Sequence, residues 1–149
     1  MQTIITEQGD MSIGEICQKK LPVKVLSWDE AQQSWVYNKV TDWFVRKCEP
    51  QHMLYIVVKD PEGRQTRIFP TDNHIMYLYN GGRIEAGELQ EGDLLAGVDK
   101  GGFKPLEVIS IDKGWEEECI VYDITVEDTH NYALTGGVRV SNSKKIGSL

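Results

Sequence analysis

Apolar residues in this chain come in short runs rich in Val, Ile, Tyr, Thr and Trp, and each run is closed by Gly, Pro, Asp or Asn. β-Branched and aromatic side chains fit a pleated surface, and the closing residues favour turns, so runs of this kind predict strands. Strands are accordingly predicted at 3–6, 23–28, 34–47, 52–59, 64–70 and 74–80, and again at 83–86, 94–98, 106–115, 118–127 and 131–140. Turns are expected at EQGD (7–10), DPEG (60–63), NGG (80–82), EGD (91–93) and DKGG (99–102). There Gly supplies positive φ and Asp bonds the local backbone. Helical signal is thin. SIGEICQKK (12–20) starts on a serine able to cap about two turns, and AGELQEG (86–92) has room for about one. Many short strands with little helix predict an all-β barrel, sandwich or irregular β body.

Composition narrows the classes. A length of 149 residues suits one domain with a real core, and 40% hydrophobic with 26% charged residues is an ordinary globular balance. A net charge of −7 argues against a nucleic-acid partner, because phosphate binding needs a basic face. No apolar run is long enough to span a membrane, and the first residues form no charged-then-apolar leader, so a cytoplasmic protein is expected. Cys17, Cys48 and Cys119 have unrelated spacings and form no C-x-x-C pattern, which predicts free thiols in a reducing compartment. The last seven residues, SKKIGSL, are polar and read as a tail.

Only three histidines are present, which shortens the roster of proton-transfer groups. A single histidine beside a strand is ordinarily a structural hydrogen-bonding residue, and His52 suggests nothing more. The surroundings of the other two are more informative. TDNH (71–74) sets Thr71 three residues before His74, in a turn able to aim a hydroxyl and an imidazole at one point. In DTHNYALTGGVRVSNS, an antiparallel return through Gly136-Gly137 brings His130 close to the Asn142 carbonyl. Asn carries its own nucleophile: the side-chain nitrogen can attack the residue's main-chain carbonyl, close a succinimide and cut the chain after Asn. Selecting this over deamidation requires a fixed rotamer, a proton donor for the leaving amine and oxyanion stabilisation. His130 suits the donor role. Ser143, directly after the bond, has a hydroxyl able to receive an acyl group. On its own, SNS reads first as a solvated turn.

Taken together, TDNH, ELQEGD, and VYDITVEDTHNYALTGGVRVSN followed by Ser resemble the Hint fold of inteins, the self-splicing protein elements. The resemblance runs in order over nearly all of residues 2–143, and IITEQGDMSIGEI looks like the segment near an intein's beginning. About twenty-five residues separate GD at 92–93 from ECIVYD, which leaves no room for an endonuclease insert and implies a mini-intein. The implied fold is an all-β horseshoe, with residues 1–142 as the Hint domain and 143–149 as a C-extein tail. The implied roles follow position. Thr71 and His74 activate an upstream scissile amide, Asp123 tunes the nucleophiles, His130 assists cleavage, Asn142 cyclises and Ser143 accepts the acyl group. The implied chemistry is single-turnover self-cleavage and ligation by a monomer, with no metal and no cofactor.

Two positions depart from the family pattern. Ser141 stands where the residue before the terminal Asn is usually His, and a hydroxyl is a poor proton shuttle at neutral pH, which puts more of the work on His130. The usual first-residue Cys is also missing. Aligning QTIITEQG with the family's first strand puts Met1 about four residues inside the normal start. A subclass that works without that Cys has Cys, Trp and Thr where this chain has Asp123, Met76 and Val140, so the chain does not match it. Three origins fit: the large piece of a split intein, an engineered truncation, or a degenerate element, ranked in that order. In the split case residues 2–6 form an edge or near-edge strand with exposed backbone groups, and a short N-terminal fragment bearing its N-extein and Cys docks there by strand addition. A rival class is a β-domain that only binds. A second is a hedgehog-like autoprocessing domain, against which the terminal Asn argues.

Overall fold

A computed structural model describes residues 2–113 and 119–142. Ser143, the tail and the 114–118 ends of two predicted strands lie outside the described residues. Among the described residues, thirteen strands and one short α-helix follow one another in order. β1 (Thr3–Thr6), β2 (Gly9–Ser12), α1 (Ile13–Lys19), β3 (Lys24–Asp29) and β4 (Ser34–Cys48) come first. β5 (Leu54–Lys59), β6 (Gln65–Ile68), β7 (Ile75–Tyr77) and β8 (Arg83–Glu85) form the middle. β9 (Leu94–Asp99), β10 (Gly102–Lys113), β11 (Cys119–Val126), β12 (Asn131–Ala133) and β13 (Arg139–Ser141) complete the chain.

The predicted strands are present, with shifted ends. Alternation is clearest in β5, where Leu54, Ile56 and Val58 point inward and their neighbours do not. The run at 131–140 divides into β12 and β13 around Gly136 and Gly137, whose φ values are 92° and 90°. α1 starts as its sequence predicts: the Ser12 Oγ accepts the Glu15 N–H at 3.2 Å. The second helical expectation reduces to a 3-10 turn at Ala86–Glu88. Residues 9 and 10, read as turn, instead open β2, whose polar GDMS pattern carries no strand signal but pairs in register along β1.

The strands form three sheets, in the orders β11-β4-β3-β1-β2, β6-β5-β10-β9 and β12-β13-β7-β8. β4 is long enough to serve two partners, β3 along its first half and β11 along its second. Ile4, Ile16, Val25, Val40, Ile56, Met76, Leu95 and Ile124 are buried from all three sheets and α1 in one continuous core. Residues 2–6 take the near-edge place, next to the terminal strand β2, but the expectation that their backbone groups stand open is corrected. β1 lies between β2 and β3, the Thr3 carbonyl accepts the Thr135 N–H at 3.0 Å, and Ile4 bridges Leu134. Its backbone groups are therefore satisfied within the chain, and strand addition to β1 has no template.

Candidate functional site

The third sheet assembles residues far apart in the chain. β13 lies between β12 and β7, with Val140 opposite Met76, so antiparallel geometry carries His74 to the end of β13. There His74 Nε2 lies 3.0 Å from the Ser141 carbonyl oxygen, which can only accept, so the proton is on Nε2. On the other side of the ring, Nδ1 is 3.8 Å from Asp123 Oδ2. Asp123 is fully buried on β11, and its Oδ1 accepts the Tyr132 hydroxyl at 2.7 Å and the Ile124 N–H at 2.8 Å. Burial first, and the Asp123 charge second, push the Tyr132 phenol well above its ordinary range, so Tyr132 keeps its proton and donates it to Asp123.

Asn142 and Ser141 lie at the end of the β12–β13 hairpin. The register pairs Asn131 with Ser141, and the Asn142 N–H donates to the His130 carbonyl at 3.1 Å one step further out. The hairpin expectation therefore holds for the backbone. The meeting is of the His130 carbonyl with the Asn142 amide, and the His130 side chain is exposed at a left-handed φ of 58°. Ser141 and Asn142 are buried, and Ser141 Oγ donates to the Asn142 carbonyl oxygen at 3.3 Å.

Thr71 is buried and bridges Met53, with its hydroxyl donated to Asn73 Oδ1 at 2.9 Å. Thr71 and His74 both line a largely apolar cavity of about 400 Å³ whose walls include Gln2, Tyr132, Leu134 and Val140. The cavity thus adjoins Gln2 as well as the TDNH turn. Gln2 is pinned there, with its Oε1 accepting the Phe69 N–H at 3.1 Å and its carbonyl accepting the Ile13 N–H at 3.1 Å. Cys17, on the buried face of α1, donates to the Asp123 carbonyl at 3.3 Å. Burial pushes its thiol up to about 11, so it is not a nucleophile at neutral pH.

The site gathers Thr71, His74, Asp123, Ser141 and Asn142, with His130 reaching it through its backbone. Sequence reasoning missed Tyr132, Asn73, Asn131 and Arg83. Tyr132 had a signal, since a tyrosine in a strand expected to be buried must find a partner for its hydroxyl. Asn131 accepts the Trp28 N–H at 2.8 Å and donates to the Trp28 carbonyl at 2.9 Å. It thereby fastens the start of β12 to β3. Nothing in the sequence links Arg83 to Ser141, yet Arg83 Nη2 donates to Ser141 Oγ at 3.3 Å.

The whole architecture is shared with inteins. The DnaB intein of Synechocystis sp. PCC 6803 superimposes with a TM-score of 0.75 at 21% identity, covering 96% of this chain and 95% of that one. A bacterial intein-like domain from Clostridium thermocellum gives 0.73 at 24% identity over 95% and 94% of the two chains. The protein therefore has the Hint fold of inteins. Residues 3–144 match the family model described as the pretoxin HINT domain, and the chain belongs to that family. In sequence it is 33% identical to the protein RecA of Mycobacterium leprae over 87 residues, which are 58% of this chain and 12% of that protein. Protein RecA of Mycolicibacterium thermoresistibile is 36% identical over 81 residues, 54% of this chain and 19% of that protein. The chain thus spans less than a fifth of the length of these two curated relatives.

Proposed function

We propose that this is a self-processing domain that cuts its own chain between Asn142 and Ser143. The Asn142 Nδ2 attacks the Asn142 carbonyl carbon, the new C–N bond closes a succinimide, and the bond to the Ser143 nitrogen breaks. The proton lost from Nδ2 is balanced by one gained by the departing amine, and His130 is the residue assigned to deliver it. The observation that carries this reading is the fixing of the Asn142 peptide. Its N–H is held by the His130 carbonyl, its carbonyl oxygen receives the Ser141 hydroxyl, and the preceding carbonyl is held by His74. Immobilising the amide selects the cyclising geometry, and a donor on the carbonyl oxygen opposes the charge that develops there.

Upstream, Thr71 and His74 are assigned to activating an amide, with Asp123 tuning His74 and Ser143 as acyl acceptor. The cavity beside Gln2, Thr71 and His74 supports seating a segment ahead of Gln2 there, whether covalently attached or supplied as a separate fragment carrying a Cys. With such a nucleophile the outcome is ligation of the two flanks, that is, protein splicing, in trans if the fragment is separate. Without it the outcome is release of the segment after Asn142. The pretoxin description of the family favours release, since freeing a downstream effector needs only the C-terminal cut.

Intact mass of the purified protein followed at neutral pH tests this, with and without a synthetic Cys-initiated peptide. Loss of Ser143–Leu149, abolished in Asn142→Ala, is expected. A joined product with the peptide establishes splicing, and release alone establishes the pretoxin-like branch. An unchanging mass in both conditions refutes the reading in favour of a binding domain.

A further inference from the structure

A serine ahead of the cyclising asparagine is a weak aid on chemical grounds: a neutral hydroxyl stabilises an oxyanion less than a charged donor does. Its one proton is also free to turn towards other acceptors. The structure answers both points with Arg83. Ser141 is buried, its Oγ lies 3.3 Å from the Asn142 carbonyl oxygen, and Arg83 Nη2 lies 3.3 Å from the same Oγ. A guanidinium has donors and no acceptor, so at this contact Oγ can only accept. The single hydroxyl proton is thereby left for the Asn142 carbonyl. The chain guanidinium to hydroxyl to carbonyl runs in one direction only, and the positive charge at its head polarises the hydroxyl towards the reacting oxygen.

The fold holds Arg83 for this purpose. It lies on β8, in register with Tyr77 on β7, and its guanidinium carbon is 5.5 Å from the Tyr77 ring centroid. Arg139 takes the same ring at 3.9 Å, and the β13–β7–β8 order sets Ser141 and Arg83 on strands either side of β7. Reaching across an intervening strand takes a side chain of arginine's length.

We propose that Arg83 is a positioning residue for C-terminal cleavage, acting through Ser141 Oγ on the Asn142 carbonyl. This rests on the cleavage reading above, and goes beyond it by assigning charge assistance to a residue outside the family motifs. Arg83 is exposed on a short strand, so its substitution leaves the fold intact, which circular dichroism checks. The experiment measures tail release in wild type, Arg83→Met, Arg83→Lys, Ser141→Ala and the Met/Ala double variant. Arg83→Met is expected to slow release roughly 10- to 100-fold, less than the 10²–10³ for removing a direct oxyanion donor. Arg83→Lys restores part of the rate, and adding Arg83→Met to Ser141→Ala changes it less than about twofold. Wild-type release from Arg83→Met, or slowing that simply multiplies with that of Ser141→Ala, overturns the proposal. A second readout is independent of turnover: the carbonyl ¹³C shift of Asn142, which follows hydrogen-bond donation. Upfield movement in both variants, smaller in Arg83→Met than in Ser141→Ala, supports the relay, and an unmoved shift in Arg83→Met overturns it. Absence of tail release in wild type defeats the cleavage reading, while the carbonyl shift still decides the relay.

Discussion

Asp123 shows how much depends on single hydrogen bonds in this protein. A buried carboxylate requires donors, and it takes the Tyr132 hydroxyl at 2.7 Å and the Ile124 N–H on one oxygen, with His74 on the side of the other. Tyr132→Phe removes one of these and nothing else of that size. A loss of about 1–3 kcal/mol in urea unfolding is expected, together with slower processing if His74 depends on a fixed Asp123. Asn131→Ala strips the donor and acceptor that serve the Trp28 backbone, and its expected cost is again about 1–3 kcal/mol for each buried group left unmet. The cysteines separate by environment. Cys119 is half-exposed and Cys17 is buried with its thiol held near 11, so iodoacetamide at pH 7.5 should label Cys119 before Cys17. Mass mapping of the alkylated peptides checks the order.

At the scale of elements, the β12–β13 hairpin sets the geometry of the cleavage bond, and its turn leaves no space for a side chain. Gly136 has a φ of 92°, and a Cβ there would overlap the Thr66 side chain. Gly136→Ala therefore combines backbone strain with a steric clash, and a destabilisation of roughly 1–3 kcal/mol is expected. The same change displaces Asn142 from His130, so tail release should slow by more than the loss of folded protein explains. Release rates at a temperature where the variant is fully folded make that distinction. Gly97 is a second close approach, with a Cβ falling 2.7 Å from Leu106 Cγ across the β9–β10 pair. That contact fixes the second sheet and has no part in the site.

For the whole molecule, the three sheets share one core, so the buried acids titrate with global unfolding. Cys17 is raised by burial from 9.0 to about 11, and Tyr132 is raised well above 10.0. An acid whose folded pKa is raised favours the fold below its unfolded value and loses that contribution as pH climbs towards its folded value. Stability should accordingly hold up to about pH 9 and fall between pH 9 and 11, by roughly 2–3 kcal/mol from Cys17, with Tyr132 adding in the same direction above pH 10. Urea midpoints at pH 8 and pH 10.5 measure the slope. Cys17→Ala should flatten it, and a wild-type slope in that variant would remove burial of Cys17 as the cause.

The sequence by itself determined the β class, the approximate position of nearly every strand, the Ser12 cap and the motifs that carry the chemistry. These are local properties: alternation, turn chemistry and spacing act within a few residues. It was blind to β2, whose polar residues become a strand only because β1 supplies a partner, and it left the backbone of β1 open because sheet order is not written in any one run. Tertiary structure alone decided which of the widely separated groups meet. Placing β7 between β13 and β8 puts His74 on the Ser141 carbonyl and brings Arg83 to the Ser141 hydroxyl. Those contacts join residues 58 to 67 positions apart. Only the burial of a shared core, which rewards one sheet order over its alternatives, sets such pairings.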